Sequence, residues 1–491
     1  MGQEREGAGG CNRLGDLKGR QGSGPPVRLS TSLPIVEPRH LWPVTPGHPA
    51  ALKWSRFTMS PPEKSGDHLR FHALDGLRAM MMLLGLVLHA ACNYQDSPPT
   101  EAWSFRATET SSFFTLLVLF IHAWRMPIFM LLAGFFSALL VDRRGQHSFL
   151  GNRMSRLALP LILFLPVILP LTTSGFAFSV SQMPVEGLGG FFQKSGGSWT
   201  DLFPPITIHM WFIYYLVLYC SLAYLWIHGS TLLLPQRIRD LPRRCIEILM
   251  RWPGGTLLLS IPLIWTLKGT AGLLSTGIGF IPESSSFFSY GFLYFCGWAL
   301  WNQRQLLEGL RNWPATLLSL GLTIILFLPW LEFFLHAVGL PAGALIQSLE
   351  TLAGVEQFEP STIQWIGATL SALMMWNAIW GFTGLLLLTT DRNIPLIRYI
   401  VDGSYWVYLV HLPFCIWIPG LLFDLDLGAA GALWKFFITL LATTIIGFVS
   451  YEWCVRNSPI GEILNGRRWP RALGRALRNR PLVEVENHSS G

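Results

Sequence analysis

The sequence predicts an all-α, polytopic integral membrane protein of about ten transmembrane helices, with N- and C-termini in the cytoplasm. Three observations carry this reading. Of 491 residues, 51% are hydrophobic and only 13% charged, against about 25% charged in soluble domains. Apolar segments follow one another down the chain, most near the ~20 residues that cross a bilayer. Basic residues are dense in alternate short loops, as positive-inside orientation requires.

Residues 1–70 are rich in Gly, Pro and Arg and have no apolar run, so a disordered cytoplasmic tail is expected there. The apolar segments are 77–95, 113–140, 157–173, 208–228, 254–274, 286–302, 314–336, 363–390, 403–423 and 431–454. The third is interrupted by Pro160, Pro166 and Pro170, which spans tolerate when neighbours satisfy the freed backbone. With the N-terminus inside, the outer loops hold only Arg106 and Lys194. The inner loops hold Arg143, Arg144, Arg153, Arg156, Arg237, Arg239, Arg243, Arg244, Arg251, Arg304, Arg311, Arg392 and Arg398. The expected organisation is a tail, a transmembrane domain over 71–456, and a basic cytoplasmic tail over 457–491. The predicted location is the cytoplasmic (inner) membrane, multi-pass, with the lipid bilayer as a partner.

The net charge of +7 does not indicate nucleic acid, because the basic residues sit in loops and tails without interleaved aromatics. Seven cysteines are scattered and form no CxxC, so neither a disulfide framework nor a metal site is expected. No nucleophile elbow, phosphate-binding glycine loop or HExxH is present.

The candidate chemistry lies in polar residues inside apolar segments, which are costly in lipid and mark function by default. Eleven helical steps return to within about 20° of the starting direction, so Arg78 and His89 share a face about 16 Å apart. Asp75 and Gly85 lie near the same stripe. A snorkelling anchor and a satisfied core histidine would look the same. His122 and Arg125, at i and i+3 before Pro127, share a face and suit a cavity holding a polar or anionic group. Arg153 and Arg156 suit phosphate, although ordinary positive-inside anchoring fits them too. His209 and Trp211 open one span at its outer end. Ser404, Tyr408 and His411 form a polar stripe in another. Glu332 and His336 are expected to pair, and Glu452 is expected near Arg456. Histidine is the one side chain here whose ordinary pKa lies near neutrality, which favours general-base group transfer.

Together these residues resemble the acyltransferase family 3 membrane proteins. The resemblance rests on Leu74-Asp75-Gly76-Leu77-Arg78 with His89, on Arg125-Met126-Pro127-Ile128-Phe129, and on the RxxR of Arg153 and Arg156. It extends to His209-Met210-Trp211-Phe212, Ser404-Tyr405 with His411-Leu412-Pro413, and Glu452. It covers roughly 68–466 and is closest to the glucan biosynthesis protein C branch, associated with succinylating periplasmic glucans. It implies transfer of an acyl group from cytoplasmic acyl-CoA (succinyl-CoA or acetyl-CoA, a co-substrate and not a bound cofactor) to a hydroxyl of a periplasmic or lipid-linked glycan. His89, Arg78 and Asp75 would be catalytic. Arg153, Arg156, Arg125 and His122 would meet the donor, with His209, Trp211, Tyr408, His411 and Glu452 lining the acceptor side. A partner protein outside the membrane could assist acceptor recognition. The competing expectation is a transporter or flippase that uses the same buried charges.

Overall fold

The protein is described by a computed structural model, which covers residues 72–96, 103–183, 203–252, 254–390, 394–478 and 480. The expected N-terminal tail lies outside the described residues. Among them the regular structure is helical, with no strand beyond two isolated bridges.

α1 (His72–Ala91) carries the Arg78–His89 stripe, and α2 (Ser112–Arg153) starts at Ser111, whose hydroxyl accepts from the Phe113 N–H. α2 bends at Gly145, where φ of 76° would strain any other residue. A π-helical turn, Met154–Ala158, joins it to α3 (Leu159–Ser181). α4 (Trp211–Leu233) follows a short 3₁₀ turn, Ile208–Met210. The short α5 (Gln236–Arg239) and amphipathic α6 (Leu241–Arg251) lead into α7 (Gly255–Leu267). α8 (Ser284–Asn302) and α9 (Leu306–Gly309) precede α10 (Trp313–Ala337) and α11 (Ala344–Ala353). α12 (Pro360–Thr389), α13 (Pro395–Leu421) and α14 (Gly431–Ser450) complete the long helices. A second π turn, Tyr451–Val455, leads to α15 (Pro459–Asn465) and α16 (Leu473–Leu477).

Among the described residues, seven helical stretches are long and apolar enough to cross a membrane, one of which, Ser112–Ser181, contains both α2 and α3. The predicted segments 254–274 and 286–302 fall on α7 and α8, outside those seven. α7 has 13 residues, about 20 Å of helix, too short for a bilayer core of about 30 Å. It stops because Ala271 and Gly272 turn the chain through positive φ. The following backbone is non-helical, and several of its carbonyls are satisfied by neighbouring groups. Trp330 Nε1 donates to Ala271 O (3.1 Å), Ser371 Oγ to Gly272 O (2.7 Å), and the Thr207 N–H to Ile278 O (2.6 Å). Non-helical backbone at membrane depth survives only under such cover.

α1 packs on α2, α12 and α13, α2 on α8, and α10 on α12. The most apolar window of α12 is 61% buried and that of α10 only 28%, so α12 is central and α10 faces outward. The outward face of α10 shows Leu317, Ile325 and Leu328. α2 and α8 meet through glycines. A Cβ on Gly134 would strike the Tyr294 carbonyl, and one on Gly297 the Leu131 carbonyl. Small residues are how membrane helices gain close packing when lipid removes the hydrophobic drive.

Two expected pairings are not formed. Glu332 Oε1 accepts from the Ile346 N–H (2.7 Å) and His336 Nδ1 donates to Leu340 O (2.9 Å), so each caps local backbone instead of the other. Glu452 does not meet Arg456 either. It accepts from Tyr399 Oη (3.0 Å) and from the N–H groups of Ala472 (2.7 Å) and Leu473 (2.9 Å). Backbone donors compete well for a carboxylate because these charge-assisted bonds are strong. The stretch expected as a tail is therefore folded back through residue 478, with Leu464, Ala472 and Ala476 buried.

A candidate active site of histidines and arginines

Three histidines from distant parts of the chain converge. His89 comes from the end of α1, His209 from the 3₁₀ turn before α4, and His411 from the middle of α13. His89 Nδ1 lies 2.8 Å from His411 Nε2, and the two rings stack at 5.1 Å. His411 Nδ1 lies 2.7 Å from Tyr408 O. A carbonyl can only accept, so His411 Nδ1 carries the proton and neutral His411 offers its Nε2 lone pair. His89 Nδ1 must then donate to it. The remaining nitrogen, His89 Nε2, is left with a lone pair. Fixing one imidazole nitrogen to define the other is how proteins orient a base.

His209 stands edge-on to both, 5.0 Å from His411 and 6.4 Å from His89 by ring centroids. Its Nε2 donates to Tyr408 O (3.1 Å) and Leu409 O (3.2 Å), and its buried Nδ1 has no hydrogen-bond partner. Tyr408 Oη returns a bond to His209 O (2.7 Å). Leu409 O is available because Pro413 lacks the N–H that would bond to it in an unbroken helix. Trp103 also stacks on His89, at 5.8 Å.

Arg125 reaches α1 one turn before His89. Its guanidinium fills the space a Cβ on Gly85 would need, and its buried Nε has no hydrogen-bond partner. No ion pair to Arg125 is formed among the described residues. A buried guanidinium without a carboxylate is costly unless an anion or developing charge completes it. His122, three residues earlier, is held differently: its Nε2 donates to Leu274 O (2.7 Å) on the non-helical segment.

Arg78 sits at the opposite end of α1, held 3.4 Å from Asp75. It lines a cavity of about 430 Å³ with five other arginines, Arg144, Arg153, Arg156, Arg398 and Arg467. That volume is ordinary for a small-molecule site. Tyr405 Oη donates to Arg156 O (2.8 Å) within the π turn, which releases carbonyls from the i→i+4 ladder. Met82, Phe129 and Phe212 also line the cavity. The two phenylalanine rings meet edge-on at 4.4 Å, and Phe212 also touches Tyr408, 6.2 Å away. Phe212 thus links the cavity lining to Tyr408, which bonds to His209.

The structure brings His89, His209, His411 and Tyr408 together, with Arg125 beside them, and gathers Arg78, Arg153 and Arg156 at the cavity. Trp211 is not in the histidine cluster; it packs on Tyr215 (5.3 Å) and Tyr290 (5.4 Å). Glu452 is also apart, holding the C-terminal return. Trp103 and Trp469 were not singled out from the sequence; Arg398 and Arg467 stood there only as loop and tail charges, and Tyr405 only as part of a motif. Basic and aromatic residues near a membrane surface are too common there to stand out.

Comparison with known proteins identifies the family. Glucans biosynthesis protein C of Shigella dysenteriae serotype 1 (strain Sd197) is 28% identical over 159 residues, 32% of this chain and 39% of that protein. Glucans biosynthesis protein C of Escherichia coli (strain K12) gives the same 28%, also over 32% of this chain and 39% of that protein. The match thus spans about two fifths of the length of these relatives. That of Salmonella gallinarum (strain 287/91 / NCTC 13346) is 25% identical over 353 residues, 70% of this chain and 82% of that protein. No solved structure matches. The family model described as "Acyltransferase domain" matches residues 71–452, which takes in both the histidine cluster and most of the arginine cavity, and the chain belongs to that acyltransferase 3 family.

Proposed function

We propose that the protein is a membrane O-acyltransferase that takes an acyl group from cytoplasmic acyl-CoA and esterifies a hydroxyl of an extracytoplasmic glycan. The observation that carries this is the chain His89 Nδ1–His411 Nε2 and His411 Nδ1–Tyr408 O, because it leaves one basic nitrogen on His89. In the proposed reaction His89 Nε2 takes the proton of the acceptor hydroxyl as its oxygen attacks the thioester carbon. His411 steadies the imidazolium through the Nδ1–H bond. Arg125 faces the oxyanion of the tetrahedral intermediate. Collapse breaks the C–S bond, the thiolate receives the proton from His89, and ester and free thiol are the products. Arg78 is about 16 Å from His89 along α1, so its proposed role, with Asp75, Arg153 and Arg156, is to hold donor phosphates.

The orientation that fits has both ends in the cytoplasm of an inner-membrane protein, with α7 and the non-helical segment after it together making one of ten crossings, the arginine cavity facing in and the histidines toward the outer half. Succinyl and acetyl groups share the CoA handle, and the names of the relatives favour a glucan acceptor. The test is mass spectrometry of envelope glycans from cells carrying the native chain, His89→Ala, or no copy. Loss of the ester in both the variant and the null supports the reading. A His89→Ala protein that inserts normally and still acylates the glycan sinks it.

A further inference from the structure

We infer that the C-terminal return, residues 464–469, forms the nucleotide end of the donor site, with Trp469 stacking the adenine base and Arg467 taking the ribose 3′-phosphate. This rests on the proposal that acyl-CoA is the donor.

The shared acyltransferase domain ends at residue 452, yet Leu464, Asn465, Arg467 and Trp469 line the arginine cavity. Two buried charged residues just after α14 build this rim. Glu452 binds the N–H groups of Ala472 and Leu473. Arg456, 0% exposed, donates through Nε to Pro470 O (2.7 Å), and its own carbonyl accepts from the Trp469 N–H (2.8 Å). Trp469 is thus fixed by backbone on both sides. α15 ends at Gly466, φ 74°, and the Arg156 guanidinium occupies the space beside it. Any side chain at 466 would both strain the backbone and displace Arg156 from the cavity.

The rim has the chemistry of a nucleotide subsite. The Arg467 guanidinium lies 3.7 Å over the Trp469 ring and that of Arg398 5.8 Å from it. An aromatic face with guanidiniums beside it stacks a base and pairs its phosphate. Arg467 itself is exposed, so it can turn to an incoming phosphate without unfolding the rim. Arg78, deeper in the same cavity, remains for the diphosphate.

The experiment measures binding of CoA, 3′-dephospho-CoA and 4′-phosphopantetheine to the full chain in nanodiscs by calorimetry. Trp469→Ala should bind CoA about tenfold more weakly, with phosphopantetheine affinity unchanged and Trp469→Phe near native. Arg467→Ala should bind CoA and 3′-dephospho-CoA alike, whereas the native chain prefers CoA. Arg467 is exposed, so this variant is not expected to perturb folding. If native protein binds CoA but both variants match it with all three probes, the inference is overturned while the donor reading survives. If native protein binds no CoA, the donor reading fails and takes this inference with it.

Discussion

At the scale of single residues, His411 is the most informative position. It touches His89 across 322 residues of sequence and sets which nitrogen of His89 holds a lone pair. His411→Ala should therefore lower kcat by roughly 10²-fold or more, the range of a misassigned general base, with little change in KM. His411→Gln keeps an acceptor oxygen for His89 Nδ1–H and should recover part of the rate. Equal loss in both variants would argue against the tautomer-setting role. The polar residues themselves were legible in the sequence, since a His or Arg within an apolar span is conspicuous. Their pairing was not. Nothing along the chain says that His89 meets His411 rather than His122, because that depends on how α1 and α13 cross. Glu332 and His336 show the converse failure: helical spacing favoured a pair, and nearby unsatisfied backbone won.

At the scale of elements, the helices were readable and their lengths less so. The α7 region read as a span because its residues are apolar, but positive φ at Ala271 and Gly272 ends it early, and no hydropathy pattern reports a backbone turn. The α2–α8 crossing depends on Gly134 and Gly297. Gly297→Leu should abolish stable purification by separating these helices, while Gly321→Leu, where nothing stands within 4 Å, should purify normally. A second tie joins the 103–111 segment to α14. Lys435, 1% exposed, lies 2.6 Å from Glu109 and 3.1 Å from Phe423 O. Partial burial would raise the Glu109 carboxyl, but bonds from Lys435 and Thr108 outweigh it and hold it below the usual range. A depressed carboxylate stabilises above its unfolded pKa and loses that stability as pH falls through its folded one. Glu109→Gln should thus lower the thermal unfolding temperature at pH 7, and the gap from native should narrow as pH falls below the ordinary carboxylate value of about 4. A gap that stays constant as pH falls through the acid range would assign the effect to packing.

At the scale of the whole molecule, the claim with the widest reach is orientation, which arginine counts in short loops argue and no packing contact reports. Cys245 lies exposed on α6 and Gln357 exposed between α11 and α12. In a chain whose only cysteine is Cys245, an impermeant maleimide should react only after permeabilisation. With Gln357→Cys as the only cysteine, it should react in intact spheroplasts. The opposite pattern would invert the topology and put the arginine cavity outside. Membership of the acyltransferase family was also visible from sequence, because its short motifs occur in order. The C-terminal return was not, since its buried contacts run from backbone N–H groups to Glu452, and a backbone donor leaves no mark on composition.

The edge-on meeting of Phe129 and Phe212 bears on electrical insulation. A chain that serves both faces of a charged membrane risks short-circuiting it. Two packed rings offer no oxygen or nitrogen to replace the water an ion must shed, and so would resist ions where they line the cavity. The slender pantetheine arm is itself uncharged and would need only a ring rotation to pass. Under the proposed reaction, a covalent group would cross the bilayer while the potential across it is kept.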